Sequence, residues 1–342
     1  MELNARKRAV LAAIIRTYIE TGEPVGSKLL TAVLDNAPSS ATLRNEMSEL
    51  CELGLLTQPH TSAGRVPTSN GFRLYVNSLM KPVAVDDSTR RYIDSRLTGE
   101  GQDIESLPPL AAQVLSELTG FPAISCYTVD GEVTVKDVGF VPVAQRSVLL
   151  FLITSDGRAQ SRMCRITDKM PDLRERFDDI VKKRIRRMPL REMNKASLQN
   201  VIASAGLDAF ELMPLITAVF EMGERAAVSP VSLKGSAGLY RICDEDNARR
   251  ILSLAQRREP FLRVLSVMGE QSGVVFGNDT GYSELYGTTI AAAPYRISQR
   301  CCGKIGIIGP ARMSYEQIIP SIEYTAKRLS ELITAVGKDM EN

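Results

Sequence analysis

Three helix-like segments follow one another closely at the start of the chain, and a hairpin pattern comes directly after them. The first segment repeats apolar residues at the spacing of one helix face, which predicts a helix from about Asn4 to Glu20 that Gly22 and Pro24 end. Its apolar face consists of Leu11, Ile14, Ile15 and Tyr18. A second, short helix is predicted from an N-cap at Ser27. Connections this short indicate that the helices pack together in one small unit.

The third segment, which is predicted to begin after an N-cap at Ser39, has two faces of different chemistry. Its apolar face holds Leu43, Met47, Leu50 and Leu53, and Gly54 suits the left-handed residue that ends a helix. Its opposite face holds Ala41, Arg44, Asn45 and Ser48. Arginine bonds guanine bidentately, asparagine bonds adenine, and an alanine methyl group contacts the methyl group of thymine. This face is therefore predicted to lie in the major groove of DNA.

A hairpin is predicted next, from a strand over residues 55–59, a polar tip from His60 to Arg65 and a return over residues 66–68. A further helix follows over residues 71–79. Three helices and a hairpin are the order of a winged helix-turn-helix, in which the hairpin, or wing, touches the DNA backbone or the minor groove. Arg44, Arg65 and Arg73 can converge on one side of such a unit. A small helical bundle without a role in DNA binding is the alternative.

Composition narrows the class of function. The 342 residues indicate two or three domains, and a chain that is 44% hydrophobic and 24% charged is expected to be globular. Apolar runs such as Ser147–Ile153 are too short to span a bilayer, and no secretory pattern is present, so we expect a cytoplasmic protein with no membrane partner. Six scattered cysteines suit reduced thiols, and a single histidine, His60, disfavours histidine-rich zinc sites and a Ser-His-Asp triad. We expect no metal, no cofactor and no enzyme activity.

The rest of the chain is predicted to be a mixed α+β region. Strands are expected at 124–129, 133–143, 147–153, 159–166, 274–276, 288–294 and 304–308, helices over 171–223 and 247–265, and a turn-rich β region at 228–241. An apolar stripe from Tyr315 to Ile333 predicts a long final helix. The spacing of Gly303, Gly306 and Gly309 does not match a phosphate-binding loop, so close packing within a strand is expected. A basic cluster over residues 182–187 is interpreted as a solvated helix face.

Several of these segments resemble the family of heat-inducible transcription repressors called HrcA. The resemblance is long and nearly without gaps in the first eighty residues, and it is thinner near the C-terminus. It rests on Val25–Lys28, Ser40–Met47, Gly54–Leu56, Gln58–Thr68, Gly71–Val76, and Gly303–Met313 followed by Tyr315.

The resemblance implies an α+β multidomain fold. Its parts would be a winged helix-turn-helix domain over residues 1–82, a linker and helix over 83–104, and a GAF-like α/β domain. The GAF-like domain would be discontinuous, over 105–144 and 229–342, because an inserted α+β dimerising domain would occupy 145–228.

The resemblance also implies a function. A homodimer would bind an inverted repeat of the CIRCE type in double-stranded DNA, block transcription of heat-shock chaperone operons, and depend on the GroE chaperonin for activity. Arg44 and Asn45 would read base edges, and the predicted DNA-binding set is Ser40, Ala41, Thr42, Arg44, Asn45, Ser48, His60, Ser62 and Arg65. For His60, a hydrogen-bonded turn residue is an equally good interpretation.

Two other classes of function are possible from the sequence. The first is a regulator that senses a metabolite through its GAF-like domain. The second is an enzyme with a DNA-binding appendage, which predicts a cluster of catalytic groups away from the hairpin. The sequence offers no such cluster, since Asp130, Asp156 and Asp279 all stand in glycine-flanked turns.

Overall fold

The computed structural model describes residues 3–34, 37–60, 63–99, 104–129, 131–166, 170–297 and 301–339. These residues form three packed units. We call them the N-terminal unit (residues 3–80), the sheet unit (81–128 and 229–339) and the inserted unit (131–228), each within its described ranges.

The N-terminal unit confirms the predicted order of three helices, a hairpin and a further helix. Its elements are α1 (Ala5–Thr21), α2 (Ser27–Val33), α3 (Ser40–Glu52), β1 (Leu56–Thr57), β2 (Val66–Pro67) and α4 (Ser69–Leu74), which continues as a π-helical turn (Tyr75–Leu79). The two strands pair antiparallel, with Leu56 opposite Pro67. The predicted cap of α2 is wrong by one residue, because Gly26 is the N-cap and Ser27 is the first helical residue.

The chain then forms α5 (Asp87–Leu97), α6 (Leu107–Thr119) and β3 (Ala123–Tyr127), and leaves the sheet unit for the inserted unit. The inserted unit contains β4 (Val135–Ala144), β5 (Ser147–Thr154), β6 (Ala159–Arg165), α7 (Met170–Ile180) with a π-helical turn (Val181–Ile185), α8 (Lys195–Ser204) and α9 (Ala209–Ala227). The sheet unit resumes with β7 (Val231–Lys234), α10 (Leu239–Ile242), α11 (Glu245–Arg257), α12 (Glu259–Ser266), β8 (Gly273–Phe276), β9 (Thr288–Arg296), β10 (Cys302–Pro310) and α13 (Tyr315–Asp339).

An antiparallel sheet of order β7-β3-β10-β9-β8 forms the centre of the sheet unit. Successive residues of a strand point to opposite faces, so each strand contributes to two cores. On one face Ile305 and Ile307 join a core shared with α6, α13 and the N-terminal unit. On the other face Ile124 and Ile308 pack with buried residues of α10, α11 and α12. The sheet therefore lies between two helical layers.

The inserted unit has a core of its own, built on an antiparallel sheet of order β4-β5-β6. Its buried strand residues Val148, Leu150 and Leu152 alternate with partly exposed ones, and α9 covers the buried side. The predicted start of this unit at residue 145 is wrong. Strand β4 pairs with β5 from Val135 to Ala144, so backbone hydrogen bonds tie residues assigned to the GAF-like domain to the inserted sheet.

The predicted helix over residues 247–265 is two helices, because the chain turns at Arg258. This residue has a φ of 60°, and Pro260 in the first turn of α12 has no N–H to continue the preceding helix. The long final helix is confirmed: α13 begins at Tyr315 and buries Ile322, Leu329 and Ile333.

No single helix among the described residues is long and apolar enough to cross a membrane. One bent pair, Lys195–Ser204 with Gly206–Ala227, meets the test of length and composition. The second helix of this pair supplies Leu215, Ile216 and Val219 to the buried core of the inserted unit.

Candidate nucleic-acid interface

Helix α3 separates its apolar and polar side chains as the sequence predicts. Leu43, Met47 and Leu50 are buried against α1 and α2, whereas Leu53 is 36% exposed because it lies beyond the last helical turn. The placement of Leu53 in the apolar face is therefore wrong. Gly54 has the predicted left-handed conformation, with a φ of 69°.

The outer face of α3 consists of Ala41, Arg44, Asn45 and Ser48, which lie at helical spacing on the side away from the core. Ala41, Arg44 and Asn45 are exposed, and Ser48 is half-buried, with its hydroxyl donating to the Arg44 carbonyl at 3.0 Å. Within the described part of the chain, the Arg44 guanidinium and the Asn45 amide have no hydrogen-bond or ion-pair partner. Their polar groups are therefore free to bind another molecule.

The N-terminus of α3 is fixed by two short contacts. The Ser39 hydroxyl caps the helix by accepting from the Thr42 N–H at 3.2 Å, which satisfies one of the free donors of the first turn. The hydroxyls of Ser27 and Ser40 lie 2.9 Å apart and connect the start of α2 to the start of α3. The cap fixes where α3 begins, and the Ser27–Ser40 contact holds the start of α2 against the start of α3, as a helix-turn-helix requires.

Two of the three acidic residues of α3, Glu46 and Glu49, lie on a flank that faces α1. Lys7 contacts Glu49 at 2.6 Å, and Arg6 lies 3.9 Å from Glu46. The hydrogen bond that Lys7 donates to Glu49, with the charges of Glu49 and Glu46, raises the pKa of Lys7. Because α1 supplies cations to these two carboxylates, their charge is balanced on the flank. Glu52 is exposed, has no ion-pair partner among the described residues, and stands at helical spacing after Asn45 and Ser48, so it adds one negative charge at the C-terminal end of the outer face.

The hairpin is attached to the helices through its base. Val25 and Arg65 form an isolated antiparallel bridge, in which each N–H donates to the other's carbonyl at 2.9 Å. A side chain at Gly64 would place its Cβ 2.5 Å from the Val25 carbonyl, so only glycine allows this close approach. The hairpin base is thus held beside the turn between α1 and α2.

The hairpin side chains of the predicted set differ in their surroundings. His60 is exposed, and its carbonyl accepts from the Ala63 N–H at 2.9 Å, which is a turn contact. Arg65 is half-buried; its guanidinium donates to the Ala63 carbonyl at 3.5 Å, and its buried Nε has no partner among the described residues. Ser62 lies outside the described residues.

The expectation that Arg73 converges with Arg44 and Arg65 is wrong. The guanidinium of Arg73 donates to the Asp279 carboxylate of the sheet unit and lies over the Phe276 ring, 6.0 Å from its centroid. Arg73 is thereby a junction residue. Sequence reasoning did not link Asp279 to it because 206 positions separate the two residues.

The junction between the N-terminal and sheet units was also missed by sequence reasoning. The Phe72 ring, which is 2% exposed, packs against Phe276 and Tyr315 with centroid distances of 6.2 and 5.9 Å. The Tyr75 hydroxyl donates to Glu316, and burial together with this carboxylate raises the pKa of Tyr75 well above its usual value. These contacts fix the orientation of the N-terminal unit, and so of α3, on the sheet unit.

A second cation near α3 was missed as well. Lys28 stands in the first turn of α2, is exposed, and forms no ion pair with any described residue. Its neighbour Ser27 contacts Ser40 of α3, so Lys28 adds positive charge next to the start of α3. The sequence contained a signal for this role of Lys28, because a lysine directly follows Ser27, the predicted N-cap of α2.

The motifs that resembled other kinds of site have structural explanations. Gly306 lies in β10, where a Cβ would stand 2.1 Å from the Ala291 carbonyl, so the glycines serve strand packing as predicted. The basic cluster at 182–187 is largely solvent-exposed, and its Arg186 contacts Asp137 at 2.9 Å. The described ranges contain no group of three or more histidine, cysteine or carboxylate side chains that could hold a metal ion.

Comparison with known proteins identifies the class to which the chain belongs. Residues 109–319 match the family described as "HrcA protein C terminal domain". A heat-inducible transcription repressor HrcA of Caulobacter vibrioides is 33% identical over 97% of this chain and 95% of its own length, and one of Acetivibrio thermocellus is 29% identical over 99% of both. A crystal structure of a hypothetical protein shares the fold, with a TM-score of 0.68 and 22% identity over 98% of this chain and 100% of that chain.

The class is therefore that of transcription repressors. Within it, the chain belongs to the HrcA family of heat-inducible repressors, as the segments in its first eighty residues predicted.

Proposed function

We propose that this protein is a dimeric, sequence-specific DNA-binding repressor whose N-terminal unit is a winged helix-turn-helix. The observation that carries the proposal is the outer face of α3, where an arginine and an asparagine without described partners stand beside an exposed alanine. A helix of this kind, about 20 Å long at the usual rise per residue, fits the major groove.

The contacts follow from the chemistry of each side chain. Arg44 bonds the edge of a guanine, Asn45 bonds an adenine, and the Ala41 methyl group contacts a thymine methyl group. Ser40, Thr42 and Ser48 contact the phosphate backbone, because their hydroxyls border the outer face of α3. In the hairpin, His60, Ser62 and Arg65 approach the backbone or the minor groove, as a wing does.

We infer that two copies bind together to an inverted repeat. A two-fold dimer matches a palindromic site, and recognition helices of such dimers lie about 34 Å apart, one helical turn of DNA. The inserted unit is the part that dimerises. What supports this is its exposed apolar side chains: Leu207 and Phe210, three positions apart, are 103% and 83% exposed, and Val141 and Met163 are 52% and 54% exposed.

The remaining parts of the proposal come from the family. The target is a CIRCE-type inverted repeat at heat-shock chaperone operons in the bacterial cytoplasm, where the bound dimer blocks RNA polymerase. The GroE chaperonin keeps the repressor in its active form. The sheet unit, a GAF-like domain in this proposal, holds the two winged helices at a fixed distance. The names of the relatives favour this function over a metabolite-responsive regulator.

The first test is fluorescence anisotropy of a labelled CIRCE-type duplex and of a scrambled duplex, at one near-physiological salt concentration. Salt is held constant because phosphate contacts alone produce strong non-specific binding when it is low. We expect a preference of about a thousandfold or more for the inverted repeat, with two subunits per duplex. Equal binding of both duplexes, with the chaperonin present as well as without it, would refute the proposal.

The dimer is tested separately by sedimentation velocity. Phe210→Asp and Met163→Asp introduce a charge on the two apolar surfaces of the inserted unit, and Ser236→Asp makes a charge change at an exposed site of the sheet unit. We expect at least one of the first two variants to be monomeric and the third to remain dimeric. If both inserted-unit variants form dimers of unchanged stability, the inserted unit does not form the dimer interface.

A further inference from the structure

A cavity of about 170 Å³ lies where the inserted unit meets the sheet unit. Residues of β3, β7 and β9 and the start of α6 line it from the sheet unit, and the turn before β6 and the end of α9 line it from the inserted unit. An engineered apolar cavity of about 150 Å³ in another protein holds benzene, so this volume accepts a small organic molecule.

The cavity contains a buried cation with an unused donor. Arg158 is 2% exposed; its Nε donates to Asp156 at 2.8 Å and one terminal nitrogen donates to the Ala226 carbonyl at 2.7 Å. The other terminal nitrogen, Nη2, is buried and has no partner among the described residues. A guanidinium nitrogen without an acceptor is costly in a protein interior, and an oxygen atom in the cavity would remove that cost.

One hydroxyl group of the wall also lacks a partner. Tyr295 is also 2% exposed, and its hydroxyl is buried without a partner in the described part of the chain. Ser125 of β3 lines the same cavity and is equally buried. The guanidinium can only donate, and no oxygen of the described wall lies within bonding distance of Nη2, so an occupant of the cavity can supply the acceptor.

Two cations, Arg158 and Arg225, and two carboxylates, Asp156 and Glu105, lie in or beside the cavity wall. Asp156 is already paired with Arg158, and the Glu105 carboxylate accepts from the Gln160 amide at 3.0 Å and 3.1 Å. Arg225 at the rim is exposed and adds a second cation. Most of the remaining wall is apolar, with Pro108, Pro109 and Pro230 and the ring of Tyr127 among its members.

We propose that this cavity binds a small organic monocarboxylate with a compact apolar body. One carboxylate oxygen accepts from the Arg158 Nη2 group, and the apolar body lies among the prolines and the Tyr127 ring. Because both units line the cavity, the bound molecule holds the inserted unit against the sheet unit. The site is separate from the proposed DNA contacts and does not depend on them.

The test is calorimetric titration and thermal unfolding of the full chain, without DNA, using benzoate and isobutyrate against their neutral amides, benzamide and isobutyramide. We expect saturable binding of at least one carboxylate and a raised unfolding midpoint. Its amide should bind about tenfold more weakly, since a hydrogen bond to an ionised group is the stronger one. Equal binding of acid and amide would overturn the assignment of an anion site.

Variants locate the binding within the chain. Arg158→Met should remove carboxylate binding, but it also removes the two structural bonds of Arg158 and can weaken the fold. Ser232→Phe fills the cavity from the edge strand β7 and keeps Arg158, while Ser236→Phe makes the same change at an exposed position nearby. We expect loss of binding in Ser232→Phe and wild-type binding in Ser236→Phe. Undiminished binding in Ser232→Phe, or no saturable binding of either carboxylate to the wild type, would overturn the proposal.

Discussion

The N-terminal unit has two polar surfaces, and they differ in whether their groups already have partners. On the outer face of α3, Arg44 and Asn45 have none among the described residues. At the junction with the sheet unit, Arg73 contacts Asp279, and Tyr75 contacts Glu316. Polar groups that have hydrogen-bond or ion-pair partners within the chain hold the N-terminal unit in position. Polar groups without such partners are available to bind another molecule. The same residue type, arginine, therefore has opposite roles on the two surfaces.

The largest effect is expected at the junction. Phe72→Ala removes a ring that packs against Tyr18, Phe276 and Tyr315, and should lower the free energy of unfolding by about 3–5 kcal/mol, the usual loss for a buried aromatic ring. Urea denaturation of the full chain measures it. Val267→Ala, at an 80% exposed site outside the inserted unit, is the control and should change the free energy of unfolding by about 0.5 kcal/mol or less. Similar small losses in both variants would mean that the junction is not packed.

The next effect separates the two arginines. Arg44→Ala should weaken specific DNA binding by about 1–3 kcal/mol and relax base preference, with folding stability nearly unchanged. Arg73→Ala should neither weaken specific DNA binding to this extent nor relax base preference, because the Arg73 side chain contacts Asp279. Arg250→Ala, an exposed site in α11, controls for the loss of one positive charge. Anisotropy with matched and single-mismatch duplexes measures these effects. The comparison between the surfaces fails if Arg73→Ala relaxes base preference as much as Arg44→Ala.

A smaller effect is expected for the hydroxyl group at the junction. Tyr75→Phe removes the hydrogen bond to Glu316 and should lower the free energy of unfolding by about 0.5–1.5 kcal/mol without altering base preference.

The pH dependence of the same variant follows from the raised pKa of Tyr75. In the unfolded chain a tyrosine ionises near pH 10, whereas burial and Glu316 keep this one protonated in the folded chain. Its contribution is therefore complete below about pH 10 and is lost as the pH rises further. Urea midpoints measured up to alkaline pH should decline less steeply in Tyr75→Phe than in the wild type. Parallel declines would contradict this assignment.

The smallest effect is expected at the cap of α3. Ser39→Ala removes the acceptor for the Thr42 N–H and should lower the free energy of unfolding by about 0.5–1 kcal/mol. DNA binding should weaken only slightly, since the cap orients the helix and is not one of the proposed base contacts. Ser236→Ala, at an exposed position outside any cap, should leave the unfolding midpoint unchanged. A large loss of affinity in Ser39→Ala would place Ser39 among the DNA contacts.

Much of the N-terminal unit was predictable because its signals are local. The cap at Ser39, the buried spacing of Leu43, Met47 and Leu50, and the left-handed Gly54 define α3 within sixteen consecutive positions. The same helical spacing predicts that Arg44 lies on the face opposite these buried residues. Whether that face binds DNA remains a prediction, because its partner lies outside the chain.

Other features were not predictable, since they depend on residues far apart in sequence. The family resemblance placed the start of the inserted domain at residue 145, but β4 pairs with β5 from Val135 onwards, so strand pairing moves that limit towards the N-terminus. The helical spacing of residues 247–265 predicted one helix, although the positive φ of Arg258 divides it. In the second case a local pattern was correct about element type and wrong about where the chain turns.

By itself the sequence determined the helices and strands, the polar face of α3 and membership of the family, since each of these rests on spacing within short segments. Only the tertiary structure decided which polar groups have partners. Arg73 and Asp279 are 206 positions apart, and Tyr75 and Glu316 are 241 apart. The physical reason is that period and capping act between neighbours along the chain, whereas ion pairs and buried hydrogen bonds form between surfaces that folding brings together.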